Sequence, residues 1–97
     1  MKLDAYVVDT LMRDLVGHDK TASAYLVYLY LWRRTVDAGA AKTYQSHNDI
    51  AFATGLSKSA VQNAVKRLIK RRLVTQSKRS PTAKPAYAVK RPWTRRD

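Results

Sequence analysis

The sequence predicts a mainly helical, α+β fold of about four helices and one small β-hairpin. Apolar residues recur every three or four positions through the first two thirds of the chain, the period of a helix with one buried side. Two short segments, 73–76 and 86–89, then flank a polar, proline-bearing linker, as in a hairpin with a long tip. The 97 residues suffice for one core but not for a second, catalytic domain. We expect a single domain over residues 1–90 and a basic tail over 91–97.

The first helix is predicted over residues 4–16, because apolar residues recur every four positions from Leu3 to Leu15. Asp4 is a suitable N-cap for it. Gly17 can adopt the left-handed conformation that commonly follows the last helical residue. The helix is therefore expected to end there.

The second helix is predicted over residues 19–36, with Asp19 as its N-cap. It is apolar on two opposite sides, which is typical of a central helix or of half an oligomer contact. One side is therefore expected to form a homodimer contact together with the first helix, unless the first helix itself covers it. The residues of this side are Ala24, Val27, Tyr28 and Leu31.

The third and fourth helices are predicted over residues 46–54 and 57–71. Each begins at a serine, and Asp49 follows Ser46 by three positions in an imperfect capping box. Gly55 supplies the positive φ that the tight turn between them requires. Two helices joined in this way indicate a helix-turn-helix, in which the first helix supports the second and the second lies in a DNA major groove.

The net charge of +12 is distributed unevenly along the chain. Residues 1–41 contain five basic and five acidic residues, whereas residues 42–97 contain fourteen basic residues and two aspartates. A neutral half joined to a strongly basic half is typical of a scaffold that carries a polyanion-binding surface. A surface that is charged only for solubility normally mixes both signs.

The fourth helix has an apolar side around Val61 and Leu68 and a polar side without any acid. A solvated helix usually pairs opposite charges four residues apart. The cations of this helix instead repel one another unless an anion relieves them. Gln62 and Asn63 can make paired hydrogen bonds to base edges, and the lysines and arginines suit phosphates. This side therefore favours contact with DNA.

The motif residues occur in a fixed order along the chain, followed by the predicted hairpin. They are Ser46, Ile50-Ala51, Thr54-Gly55-Leu56-Ser57, Val61, Ala64-Val65, Leu68 and Leu73-Val74. This pattern resembles the winged helix-turn-helix superfamily over about residues 20–90, in the style of the MarR-like and GntR-like bacterial regulators. In that superfamily the second motif helix enters the major groove, and the hairpin, or wing, contacts the backbone or the minor groove.

The resemblance implies two sets of DNA contacts on this chain. On the fourth helix they are Lys58, Ser59, Gln62, Asn63 and Lys66, and the same basic side continues to Arg67 and Lys70. On the wing, over residues 73–89, they are Lys78, Arg79 and Lys84. The chain departs from the family pattern in having Arg72 where a helix-ending glycine is usual, and in lacking the usual wing glycines.

Several classes of protein are not expected. The absence of cysteine excludes disulfides and thiolate metal sites and fits a reducing compartment. His18 and His47 lack metal-ligand spacing, and there is no nucleophile elbow or glycine-rich phosphate loop. We expect no catalysis, metal or cofactor. The longest apolar stretch, residues 22–32, is too short to span a bilayer, and the first residues lack a signal-peptide pattern. The expected location is the bacterial cytosol or nucleoid.

The sequence thus predicts a sequence-specific binder of double-stranded DNA, a small transcriptional regulator without an effector domain. Two alternatives stay open: a replication or plasmid-maintenance protein of a mobile element, and an RNA-binding or protein-docking module. Trp93 has three possible roles: it folds back on the domain, anchors a partner chain, or lies in a disordered basic tail.

Overall fold

Residues 1–94, which the computed structural model describes, form four helices and a three-stranded antiparallel sheet. This confirms the predicted α+β class and the predicted hairpin. The helices are α1 (residues 5–18), α2 (Ala22–Arg34), α3 (His47–Thr54) and α4 (Lys58–Lys70). The strands are β1 (Thr43–Tyr44), β2 (Val74–Ser77) and β3 (Ala86–Val89).

Strand β3 lies in the middle of the sheet, between β1 and β2. Tyr44 pairs with Ala86, which also pairs with Ser77, so these three residues form one row across the sheet. Tyr87 lies in the next row and is fully buried, and its hydroxyl accepts a hydrogen bond from Gln76 at 3.1 Å. Because successive residues of a strand point to opposite faces, the Tyr87 row faces the core and the Tyr44 row faces outward.

Helix α2 runs through the centre of the molecule. The side predicted to face a second copy is fully buried within one chain, so that prediction is wrong, and the intramolecular alternative is confirmed. The pattern could not distinguish these cases because both sides of the helix carry apolar residues. The outward side includes Leu26, which is 45% exposed. The buried residues are Ala24, Val27, Tyr28 and Leu31.

Helix α1 has widened turns over Val7–Leu11 and Arg13–His18, where hydrogen bonds join residues five apart. In a helix of 3.6 residues per turn, side chains spaced by four drift steadily around the axis. Wider turns reduce that drift and keep the apolar side chains in one line against α2. The Tyr25 hydroxyl also donates to the Val7 carbonyl at 3.0 Å, and a side chain inserted in this way favours a local change of hydrogen-bond register.

The end of α1 differs from the prediction. The helix continues through Gly17 to His18, and Lys20 takes the left-handed conformation with φ 54°. The carboxylate of Asp19 does not cap α2, which begins three residues later. It accepts two hydrogen bonds from Arg71, at 3.2 and 3.3 Å, and is only 4% exposed. Asp19 therefore joins the start of α2 to the end of α4.

The turn of the helix-turn-helix forms as predicted. Ser46 and Asp49 exchange hydrogen bonds of 3.0 and 2.9 Å with each other's backbone N–H, which completes the capping box. Gly55 has φ 80°. The Ser57 hydroxyl accepts a hydrogen bond from the Ala60 N–H at 3.1 Å and so caps α4.

Helix α4 ends at Arg72, which has φ 59°. The Leu73 N–H donates to the Leu68 carbonyl at 2.9 Å, and the Arg72 N–H donates to the Ile69 carbonyl at 3.0 Å. These two bonds define a Schellman motif, whose left-handed position glycine usually occupies. Arg72 therefore replaces the family glycine without changing how the helix ends.

The segment after β3 folds back on α1. Trp93 stacks on Tyr6 with ring centroids 4.6 Å apart, and its Nε1 donates to the Asp4 carboxylate at 3.0 Å. Arg91 reaches the same carboxylate at 3.3 Å, and the Tyr28 hydroxyl donates to the Lys90 carbonyl at 2.9 Å. The first of the three roles for Trp93 is therefore the correct one. Residues 95–97 of the predicted tail lie outside the described residues.

Candidate nucleic-acid interface

Helix α4 presents its polar side outward because its apolar side is anchored. Val61, Ala64 and Leu68 are fully buried and Val65 nearly so. The residues predicted to contact DNA occupy the other side, and all are exposed except the half-buried Arg67. The exposed ones are Lys58, Ser59, Gln62, Asn63, Lys66 and Lys70.

Part of the repulsion among the cations of α4 is relieved within the chain. Arg71 lies 3.8 Å from the Asp14 carboxylate, in addition to its bonds with Asp19, and Arg67 lies 4.0 Å from Asp19. A hydrogen bond from His18 lowers the pKa of Asp19, burial opposes this, and the charges of Arg71 and Arg67 lower the pKa further. The anions that relieve this helix at its C-terminal end are therefore carboxylates of the same chain, Asp14 and Asp19.

The middle of α4 is different. Lys66 and Lys70 form no ion pair with any residue in the range 1–94. Together with Asn63 and Arg67 they line a shallow groove of about 280 Å³ against Thr21 at the start of α2. The side-chain amide of Asn63, which can bind a base edge, therefore lies beside the cations of Lys66 and Lys70, which suit phosphates.

A second groove, of about 300 Å³, brings α3, α4 and the wing together. Lys58 contributes from the first turn of α4, and Lys78 and Lys84 contribute from the wing tip. Lys84 Nζ lies 2.9 Å from the Asp49 carboxylate, and Lys78 Nζ donates to the Pro81 carbonyl at 3.2 Å. The ion pair of Lys84 holds the wing tip against the start of α3, and the hydrogen bond of Lys78 lies within the wing tip.

His47 lines the same groove, and sequence reasoning did not include it among the site residues. Burial lowers the pKa of His47, and the positive charges of Lys58 and Lys78 lower it further. The imidazole therefore favours its neutral form among cations. Its position in the first turn of a capped helix was visible in the sequence, but the approach of the wing was not.

The remaining wing residue, Arg79, is exposed and lines a third groove on the outer face of the wing. Lys78 and Lys84 border this groove as well, so the wing tip lies between the second groove and this outer groove, and both are basic. Lys42 and Tyr44 also line the outer groove, and neither was among the site residues expected from the sequence.

Within residues 1–94, no three His, Cys, Asp or Glu side chains cluster in a way that could hold a metal ion. No helix among those residues has both the length and the apolar character needed to cross a bilayer.

The family model described as the MarR family matches residues 39–84. This match spans β1, α3, α4, β2 and most of the wing tip, which supply most of the residues that line the three grooves. Residues 39–84 are thus similar to the MarR family, and the fold that contains them is a winged helix-turn-helix. The match covers just under half of the chain, and α1, α2 and β3 lie outside it. No curated protein and no solved structure matches the chain significantly.

Proposed function

We propose that this winged helix-turn-helix domain binds double-stranded DNA sequence-specifically and acts as a small, non-enzymatic transcriptional regulator in the bacterial cytoplasm. Residues 1–90 would form the binding unit. The observation that carries this proposal is the exposed, acid-free side of α4, which continues into the basic groove shared with α3 and the wing.

The proposal assigns different roles to the residues of α4 and of the wing. Gln62 and Asn63 carry side-chain amides that can pair with an adenine edge in the major groove. Lys66 and Lys70 flank them and suit phosphates, which fix the register but carry no sequence information. The wing cations contact the backbone or the minor groove: Lys78, Arg79 and Lys84.

We further propose that two copies bind two half-sites about one helical turn apart. The side of α2 once expected to form the dimer is buried, so the contact is assigned instead to the outer side of α1. Val8, Met12 and Val16 are 47, 40 and 42% exposed there and lie four residues apart. Sedimentation of wild type and of Met12→Glu tests this assignment. A wild type that stays at 11 kDa at micromolar concentration would remove the dimer.

The main experiment is selection of bound duplexes from a random pool at near-physiological salt. We expect one enriched motif, repeated in two half-sites. Wild-type protein that enriches no motif would show that duplex binding is not sequence-specific. Directly repeated sites in place of a two-fold arrangement would favour the replication-origin role.

Two variants then separate base reading from phosphate contact. Asn63→Ala should relax the selected sequence at one position, at a cost of about 1–3 kcal/mol on the preferred site. Lys78→Ala should weaken all duplexes alike and reduce the slope of log K against log salt by about one. If both variants behave identically, the assignment of roles is wrong.

A further inference from the structure

We propose that the outer face of the wing sheet is a second binding site, which takes unpaired nucleotides of a single-stranded nucleic acid. The site is the outer groove, which has a volume of about 430 Å³ and lies between the edge strand β1 and the wing tip. It is separate from the polar side of α4 and goes beyond the proposed binding of duplex DNA. The side chains that carry the inference are Lys42, Tyr44, Ser77, Arg79, Ala83 and Ala86.

The aromatic ring in this groove, that of Tyr44, is not part of the hydrophobic core. Tyr44 is 58% exposed, whereas Tyr87, in the neighbouring row of the same sheet, is fully buried. The neighbours of Tyr44 across its row are Ala86 and Ser77. These small side chains, together with Ala83 from the wing tip, leave the space beside the ring open. A flat ring above a floor of small residues can accept another flat ring.

The rim of the groove is basic. Lys42 precedes Tyr44 by two positions and Arg79 follows Ser77 by two, and all four line the groove. Lys42 and Arg79 form no ion pair with any side chain in the described part of the chain. Lys84, also on the rim, lies against Asp49 at 2.9 Å. Two unneutralised cations therefore flank an exposed aromatic ring.

This combination fits a single strand better than a duplex. Proteins hold single strands by stacking bases on aromatic side chains while cations follow the phosphates. The bases of a duplex are already stacked on one another, so they cannot offer a face to Tyr44. A protein partner is disfavoured because the groove offers no apolar anchor besides this ring. DNA and RNA present the same stacking chemistry, and the experiment distinguishes them.

The test measures fluorescence anisotropy of labelled oligothymidylate and oligouridylate of about ten nucleotides, a length within the usual site size. Tyr44→Ala should weaken binding of the preferred oligonucleotide about tenfold, since stacking contributes roughly 1–3 kcal/mol per base. Tyr44→Phe keeps the ring and should bind like wild type. Phe52→Ala is the matched control, because Phe52 is 94% exposed but does not line the groove. Stronger binding of oligouridylate would indicate RNA as the ligand, and stronger binding of oligothymidylate would indicate DNA.

A second pair of variants covers the case in which Tyr44→Ala fails to fold. Lys42→Ala should weaken single-strand binding and lower its salt dependence, whereas Lys2→Ala, an exposed lysine outside the groove, should do neither. Equal effects of Tyr44→Ala and Phe52→Ala in folded proteins would overturn the inference. So would the absence of any binding to either oligonucleotide by wild type.

The two proposals can fail separately. Binding of duplex DNA should respond to Asn63→Ala and not to Tyr44→Ala, and binding of single strands should show the opposite pattern. Loss of duplex specificity with intact, Tyr44-dependent single-strand binding would reject the proposed function alone. Duplex binding with single-strand binding that is indifferent to Tyr44 would reject this inference alone.

Discussion

The two halves of the chain use their charged residues differently. In residues 1–41, four of the five aspartates accept contacts within the molecule: Asp4, Asp14, Asp19 and Asp37. In residues 42–94 the only acid is Asp49, and several lysines and arginines extend into solvent. The first half thus has no net charge, but its carboxylates form contacts with the second half. Its acids bind Arg67, Arg71 and Arg91 of the second half. The positive charge that a basic domain offers to a ligand therefore depends on which of its cations already form ion pairs within the chain.

Among the changes that test this difference between the two halves, the largest loss of stability is expected from Asp19→Ala. It removes the buried acceptor that joins α2 to Arg71, and charge-assisted hydrogen bonds contribute about 1.5–3 kcal/mol. Because Arg71 is one third exposed and regains water, we expect a loss of about 2 kcal/mol in the free energy of unfolding. Urea denaturation measures it.

The matched control for this prediction is Asp9→Ala. Asp9 is exposed and forms no ion pair within residues 1–94, so its removal should change stability by less than about 0.5 kcal/mol. The pKa of Asp19 is lowered in the folded state, so its contribution is present above the ordinary value of 3.8 and is lost as pH falls through the lowered value. Equal losses for Asp9→Ala and Asp19→Ala would contradict the division of roles between the two halves.

The next largest effect is expected at the contact between α1 and the segment after β3. Trp93→Ala removes the stack on Tyr6 and the hydrogen bond to Asp4, which should cost about 1–2 kcal/mol. The thermal midpoint should fall by several degrees. Trp93→Phe, which keeps a ring for stacking but not the N–H, should lie between this variant and wild type. A midpoint unchanged in Trp93→Ala would mean that the first half does not hold this segment in solution.

In the second half, one cation stands where the backbone favours glycine. Arg72→Gly should stabilise the fold by about 0.5–1 kcal/mol, because glycine adopts a positive φ without a steric cost. Arg72→Ala removes the same charge but keeps the Cβ, so it should give no such gain. A gain of the same size in both variants would attribute the effect to charge and not to the backbone.

The smallest change in stability is expected from the protonation of His47 as the pH is lowered. Its pKa is lowered by burial and by Lys58 and Lys78, so the unfolded chain binds the proton more readily than the folded one. Stability should therefore fall as pH decreases below the ordinary value of 6.5 and should level off below the lowered pKa. His47→Gln should lose this component. Duplex affinity should change in the opposite direction, because a nearby phosphate favours the protonated ring; weaker duplex binding at lower pH would place the backbone elsewhere.

The sequence predicted those features that depend on neighbours within a few residues. The caps at Ser46 and Ser57 and the left-handed Gly55 were predicted correctly, since their hydrogen bonds span three or four residues. The same local logic was wrong for Asp19, whose partner Arg71 lies 52 positions away. A good capping residue is also a good ion-pair partner, and only the tertiary structure decides between the two.

The candidate site shows the same limit. The polar side of α4 was predicted correctly because it follows from the spacing of polar and apolar residues within one helix. The roles of its residues in DNA binding remain predictions. The outer groove was not visible, because it depends on the pairing of Tyr44 with Ala86 across the sheet. The dimer side of α2 was misassigned because two equally apolar sides give no signal about which one the rest of the chain covers.

The contact between Asp4 and Trp93 means that the path of the polypeptide nearly closes into a ring. A short linker from the segment after Trp93 to the start of α1 could complete that ring, since circular permutation is tolerated where the joined segments lie close together. Reopening it between Gly39 and Ala40, which are both exposed, would reverse the order in which the two halves are synthesised and preserve every other covalent bond. Such a permutant would reveal whether the helix-turn-helix must wait for α1 and α2 to be made before it can fold.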